Sequence, residues 1–148
     1  MIPLKIKKTD HQSYPGLYKP IRENKDILIA RLETPDVFIS KPPINITEAE
    51  GMYRIDFSIP GFKREQIFIE TKGDRVFIEA GNQREPLNQN EYCRTMEFDC
   101  EYIRREVVVP GNVDTGFLSA EYKDGILTIS MYQTHSKIHN DVAEIAVY

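Results

Sequence analysis

The chain has 148 residues, of which 41% are hydrophobic and 28% charged, and its formal net charge is −4. This length fits one domain with modest extensions, and the apolar content is too high for a chain that is disordered throughout. The small negative charge provides no overall attraction to nucleic acid or to an anionic membrane, and no apolar run approaches the ~18 residues that span a bilayer.

The start of the chain and its few cysteines and histidines indicate a cytoplasmic protein without a cofactor. The first eight residues lack an apolar run long enough for a signal peptide. Cys93 and Cys100 are therefore expected to be free thiols, and His11, His135 and His139 lie too far along the chain to complete a metal site. Gly-rich phosphate loops and Gly-x-Ser-x-Gly elbows are missing from the sequence. We predict neither a metal, nor a cofactor, nor an enzyme.

Residues 1–41 are predicted to form an N-terminal arm. Pro3, Pro15, Pro20 and Pro35 interrupt any regular element, so neither a helix nor a strand is predicted there. Residues 1–31 hold seven basic and three acidic residues, a net charge of +4 that leaves −8 for the rest. A basic arm on an acidic body indicates either contacts between the two or a solvated tail.

From residue 43 onward, the hydrophobic period becomes two, which predicts β-strands. One face of the run from Tyr53 to Ile59 is apolar, and the run stops at Pro60-Gly61, a turn pair. Five further runs have the same pattern, at residues 67–71, 75–80, 103–109, 118–122 and 126–131. Asp124-Gly125 predicts a tight hairpin between the last two. A polar segment, 81–101, is too long for a hairpin turn, and residues 92–96 within it can form a short strand.

Several short strands without a convincing helix predict an all-β fold, an immunoglobulin-like antiparallel β-sandwich over residues 42–132. A polar tail follows over residues 133–148 and ends on apolar residues.

Four segments then carry a family resemblance. In chain order they are Pro43 to Glu48 with Ile59-Pro60-Gly61-Phe62, the strand from Arg105 to Pro110, the hairpin with Ala120, Gly125, Ile126 and Leu127, and the tail Ile145-Ala146-Val147. In this order they resemble the α-crystallin domain of small heat-shock proteins, over about the last two-thirds of the chain. Residues 1–41 match nothing in that family.

The resemblance implies that the tail is an oligomer anchor. Ile145 and Val147 are two residues apart, so an extended backbone points both side chains to one face. In the family such an anchor enters a groove between two edge strands of a neighbouring subunit. Here the predicted groove residues are Ile67, Ile69, Leu118 and Ala120. The alternative is that the tail folds back on its own domain or frays.

The resemblance also implies a dimer. In bacterial- and plant-like members, a strand in the long loop swaps onto the sheet of the partner, and here Tyr92, Arg94 and Met96 mark that strand. Arg105 shares a strand face with apolar residues, needs a carboxylate or carbonyl partner, and is implied at the dimer interface. The alternatives are a flexible surface loop and an exposed arginine.

The function implied by the resemblance is ATP-independent chaperoning, in which unfolding client proteins are held and their aggregation is suppressed. Client contacts are predicted for the groove when the anchor leaves it and for four apolar residues of the arm, Tyr14, Leu17, Tyr18 and Phe38. A disordered arm is the alternative there. The predicted partners are clients and copies of the chain itself, with no nucleic acid and no membrane. The rival function is a β-sandwich co-chaperone that binds another chaperone.

Overall fold

The structure, a computed structural model, describes residues 22–33, 39–82, 87–98, 101–135, 143–145 and 147. One α-helix, one short 3-10 helix (Arg64–Gln66) and eight strands form within these ranges. The α-helix and the strands are α1 (Arg22–Leu32), β1 (Ile44–Ala49), β2 (Met52–Ser58), β3 (Ile67–Lys72), β4 (Arg75–Gly81), β5 (Tyr102–Val108), β6 (Val113–Lys123), β7 (Ile126–Gln133) and β8 (Ala143–Ile145).

The strands form two antiparallel sheets of four strands each. The first sheet has the order β1-β2-β7-β6, and the second sheet has the order β5-β4-β3-β8. One continuous cluster of buried apolar side chains, contributed by both sheets, fills the space between them. The predicted antiparallel β-sandwich is therefore confirmed.

The hydrophobic period of two determines which side chains enter this core. Along β2, Tyr53, Ile55 and Phe57 are buried, while Arg54 and Ser58 face water. Strand β4 repeats the pattern with three buried inner residues. Each fully buried aliphatic or aromatic side chain contributes about 1.5–3 kcal/mol to folding before entropy is counted, so the alternation stabilises the sandwich.

The turn between β6 and β7 confirms the predicted hairpin. Asp124 and Gly125 both have positive φ, at 51° and 79°, as a type I′ turn requires. Gly125 is also held close to the chain, since a Cβ there would lie 3.2 Å from the Cα of Pro60. Both the backbone angle and the close approach favour glycine at this position.

The six predicted strands are present, most of them within one or two residues of the expected bounds. The exception is β6, which begins earlier, at Val113, and contains a register shift between Val113 and Leu118. Two strands were not predicted. In β1 most side chains are exposed and the apolar pattern is weak, and β8 has only three residues. Residues 92–96 form no strand in the single chain.

Part of the arm, to which the sequence analysis assigned no secondary structure, forms a helix. Helix α1 lies between Pro20 and Pro35 and is long enough to place Leu28 and Leu32 on one face, four residues apart. Both leucines are buried against the outer face of the second sheet. Tertiary packing therefore stabilises a helix that the local sequence favours only weakly.

Candidate interaction groove

The groove lies where the edges of the two sheets approach each other. Strand β3 borders it from the second sheet and β6 from the first. The residues that the sequence predicted for it, Ile67 and Ile69 on β3 and Leu118 and Ala120 on β6, are all buried and belong to the core cluster. Ile69 and Ala120 lie opposite tail residues, whereas Ile67 and Leu118 share the core cluster with them.

The tail of the same chain fills this groove. Strand β8 pairs antiparallel with β3 so that Ile145 lies opposite Ile69, and Val147 makes a parallel bridge to Ala120 on β6. Ile145 is 4% exposed and Val147 0%. The two-residue spacing directs both side chains to the same side, and the tail joins the edges of both sheets. Docking on its own domain is the alternative that the sequence left open, and docking on a neighbouring subunit stays a prediction.

Two threonines near the groove are fully buried but differ in their hydrogen bonds. The hydroxyl of Thr115 on β6 donates to the carbonyl oxygen of Gly73 in the turn between β3 and β4. The hydroxyl of Thr71 on β3, among the described residues, has no hydrogen-bond partner. A buried hydroxyl without a partner weakens the fold, because its desolvation is not compensated.

The hairpin residues have separate structural roles around the groove. Ala120 is fully buried beside Val147, so its small side chain leaves room for the tail. Leu127 is fully buried in the core, whereas Ile126 is exposed and lies opposite Ser58 of β2. Gly125 provides the turn. These hairpin residues therefore shape the β6 edge of the groove and the turn beside it.

Arg105 lies on the core-facing side of β5, opposite the buried Ile78 of β4. Its Nη1 donates a hydrogen bond to the carbonyl oxygen of Pro42 at 2.7 Å. The partner is thus a backbone carbonyl, one of the two types that the sequence indicated, and it belongs to the segment that leads from α1 into β1. Within the described residues, the Nε of Arg105 is buried without a partner. Its role at a dimer interface stays a prediction.

The segment predicted to exchange between subunits is exposed in the single chain. Tyr92 is 78% exposed, Met96 50% and Phe98 79%, and Arg94 is exposed as well. Three large apolar side chains within seven residues form an unusual surface for a monomer and favour a partner. Cys93 is also exposed, and its Sγ lies 3.4 Å from the carbonyl oxygen of Thr95.

Within the described part of the chain, no strand pairs with the outer edge of β1. Strand β1 ends the first sheet, and five of its six residues are exposed. At the far end of the second sheet, β5 is partly covered by Ser40, which exchanges backbone hydrogen bonds with Tyr102 and Arg104. An uncovered edge strand offers unpaired N–H and C=O groups to an incoming strand.

Among the titratable groups that the structure describes, Tyr53 has a clearly shifted pKa. Burial raises the pKa of its hydroxyl above the usual 10.0, and the nearby Glu48 carboxylate raises it further. Both effects favour the neutral phenol. Tyr53 lies in the core behind β1, so this shift concerns stability and not the groove.

The sequence analysis missed a second apolar cluster, on the outer face of the second sheet. It joins Leu28 and Leu32 of α1 to Phe68 and Tyr102, with Ile39 beside them. The signal available in the sequence was the spacing of the two leucines. The predicted client residues Tyr14, Leu17, Tyr18 and Phe38 lie outside the described residues, as does Cys100.

Among the residues that the structure describes, no group of three or more His, Cys, Asp and Glu side chains is arranged to hold a metal ion. No helix in this part of the chain is both long and apolar enough to cross a membrane.

Comparison with known proteins gives a consistent family. The model of the Hsp20/alpha crystallin family matches residues 45–148. The chain is similar to the small heat shock protein C1 of Rickettsia typhi, with 33% identity over 98 residues, covering 66% of this chain and 57% of the relative. It is also similar to the 17.0 kDa class II heat shock protein of Zea mays, with 26% identity over 89 residues, covering 60% of this chain and 58% of the relative.

A solved structure, HSP18.5 from E. histolytica, has a similar fold. Its TM-score is 0.56 at 24% identity, and the similarity covers 68% of this chain and 96% of that chain. At this identity the likeness concerns the fold. The matched region spans somewhat more than half the length of the two curated relatives.

Proposed function

This chain belongs to the Hsp20/alpha crystallin family, and on that premise we propose that it is an ATP-independent chaperone that holds partly unfolded proteins and suppresses their aggregation. Proteins of this family are generally chaperones. In this proposal the protein acts in the cytoplasm and binds and releases clients without catalysing a reaction. The observation that carries the proposal is the apolar groove filled by a separate segment of the tail.

The way the tail is attached supports this function. Ile145 and Val147 follow β7 through residues 134–142, a connection that reaches about 30 Å when extended. The tail can therefore leave the groove while the two sheets stay paired. Its departure exposes Ile69, Leu118 and Ala120, an apolar surface of the kind that binds the exposed interior of an unfolding client.

The same contacts support assembly through the tail. We propose that Ile145 and Val147 also occupy the groove of a neighbouring subunit, in exchange with the intramolecular contact described above. Each contact is weak, and several of them act together in an assembly. Replacing both residues with glycine should lower the particle mass toward that of a dimer in multi-angle light scattering. An unchanged mass would contradict this role of the tail.

The proposed dimer forms by strand exchange. The exposed segment around Tyr92 to Met96 would pair with the open edge of β1 of the partner. Arg94→Pro removes a backbone N–H from the middle of this strand, so we expect the dimer to dissociate. Leu87→Pro, in the same loop but outside the predicted strand, is the control. Equal masses for the two variants would contradict the exchange.

Client holding itself is tested by complex formation. A thermolabile monomeric enzyme is heated with this protein in the absence of nucleotide, and the mixture is separated by size-exclusion chromatography. We expect the client to elute with the chaperone in a soluble complex. A client that precipitates as it does alone would contradict the proposal. No feature of the groove favours the rival co-chaperone function.

A further inference from the structure

Helix α1 covers an apolar patch that would otherwise face water. Phe68 of β3 and Tyr102 of β5 belong to the outer face of the second sheet, because their neighbours Ile67, Ile69 and Ile103 point into the core. Outer-face side chains are normally exposed, yet both are 8% exposed, since Leu28 and Leu32 of α1 pack against them.

A glycine creates the pit in which the helix is seated. Gly81 ends β4 and lies opposite Tyr102, and a Cβ at this position would lie 2.4 Å from the Cδ1 of Leu28. The side chain of Leu28 thus occupies the space that any other residue at position 81 would fill. The fit between the helix and the sheet depends on this one backbone position.

An ion pair is the second attachment. The Nζ of Lys25, one helical turn before Leu28, lies 2.6 Å from the Oε2 of Glu70 on β3. The side chain of Lys25 is 15% exposed and that of Glu70 35%, so the pair is partly screened by solvent. Among the helix side chains that the structure describes, two buried leucines and one ion pair attach α1 to the sheet. The helix has 11 residues, a length at which isolated helices are marginal in water.

The patch continues beyond the helix as an open depression of about 260 Å³. Its lining residues are Lys25, Phe68, Glu70, Lys72, Phe77 and Glu79. The aromatic ring of Phe77 extends the apolar surface, and the carboxylate of Glu70 loses its helix partner when α1 leaves. Helix α1 contacts this surface through two leucines, four residues apart, and one lysine. Once α1 has left, the surface is therefore suited to another segment with aliphatic side chains one turn apart and a basic side chain beside them.

We propose that α1 is a releasable cover and that the patch beneath it binds an apolar, basic segment of an unfolding client. This inference rests on the proposed chaperone function and assigns it a second client site, separate from the groove. Heating releases the helix because a helix of this length is only marginally stable by itself and depends on its packing against the sheet. The client then takes the place of Leu28 and Leu32.

A disulfide between the helix and the pit tests the cover. Leu28→Cys removes the Cδ1 atom that would clash, and Gly81→Cys places the second thiol opposite it; Cys93→Ser and Cys100→Ser prevent other disulfides. The photoreactive residue p-azidophenylalanine, close in shape to tyrosine, replaces Tyr102 to report what touches the patch. The same residue in place of Tyr132, on the outer face of the first sheet, is the control.

The oxidised and reduced proteins are each heated with the thermolabile enzyme and illuminated. We expect client adducts at position 102 in the reduced protein and their loss in the oxidised protein, with the yield at position 132 independent of the disulfide. Equal yields of client adduct at position 102 in the oxidised and reduced proteins would contradict the proposal that α1 covers the site. If the client stays in solution but forms no adduct at position 102, the patch beneath α1 is not a client site, although the chaperone function is still supported. An adduct of two copies of this chain would overturn the client as occupant.

A pair of variants without a disulfide keeps the inference testable if the locked protein does not fold. Leu28→Ala with Leu32→Ala should shift client capture to a lower temperature than in the unmodified protein. Ile29→Ala, on another face of the same helix, removes one half-buried aliphatic side chain and should leave that temperature unchanged. The same onset temperature for all three proteins would overturn the inference, whereas failure of all three to hold client at any temperature would refute the chaperone function itself.

Discussion

Substitution of Ile145 by alanine tests whether the tail is a releasable part of the core. Burial of Ile145 and Val147 stabilises the docked tail by about 3–6 kcal/mol in gross terms. Ordering the backbone of residues 143–147 costs on the order of 1 kcal/mol per residue, about 5 kcal/mol in all. The backbone pairing with β3 adds a small favourable contribution. The docked and released states are therefore close in free energy, and the loss of one aliphatic side chain is enough to favour release.

This balance makes Ile145 different from other buried isoleucines. Ile145→Ala should release the tail, so its cost to global stability is limited to the small free energy of docking, about 1–2 kcal/mol. Ile129, also buried, lies in the middle of β7 and cannot leave the core. Ile129→Ala should therefore lower the free energy of unfolding by about 2–5 kcal/mol.

Two measurements separate these outcomes. Hydrogen exchange followed by mass spectrometry should show faster exchange in β3 and β8 of Ile145→Ala, while denaturant unfolding shows only a small loss of stability. Ile46→Ala, at an exposed position on β1, is the control and should change neither. If Ile145→Ala were as destabilising as Ile129→Ala and left β3 protected, the tail would be an integral core element and the reasoning would be refuted.

Three further predictions concern stability. Thr115→Val should lower the free energy of unfolding by about 0.5–1.5 kcal/mol because it removes the hydrogen bond to the carbonyl oxygen of Gly73. Thr71→Val, which removes a buried hydroxyl without a partner, should be neutral or stabilising in the same denaturant titration. Arg105→Ala should lower the free energy of unfolding by about 1.5–3 kcal/mol, because it removes the hydrogen bond to the carbonyl oxygen of Pro42. Arg75→Ala, at an exposed ion pair, should lower it by less than about 1 kcal/mol. Equal losses in the two variants would contradict this reasoning. The raised pKa of Tyr53 means that its contribution is complete below about pH 10 and is lost as the pH rises through the folded-state pKa. Unfolding measured between about pH 9 and 11 should therefore show a smaller decline in Tyr53→Phe than in the unmodified protein.

The parts of the fold that could be predicted from sequence are those determined locally. The turn at Asp124-Gly125 needs positive φ at both residues, a requirement that the dipeptide itself reveals. The alternation around Tyr53 to Ile59 reports a strand with one buried face. Strand β1 lacks that signal because five of its six residues are exposed, so neither of its faces is consistently apolar.

The parts that could not be predicted depend on contacts between distant residues. The partner of Arg105 is the carbonyl of Pro42, 63 positions earlier in the chain. Helix α1 depends on a pit made by the absence of a side chain at Gly81. The spacing of Ile145 and Val147 predicts that both enter an apolar cleft, but the choice between their own groove and that of a neighbour depends on the reach of the connection and on assembly.

The measurement that tests the central claim most directly is light scattering from a thermolabile client heated with this protein and without nucleotide. The account predicts that scattering is suppressed at a near-stoichiometric ratio of chain to client and that added ATP changes nothing. Scattering equal to that of the client alone, at every temperature at which the tail or α1 is released, would contradict it.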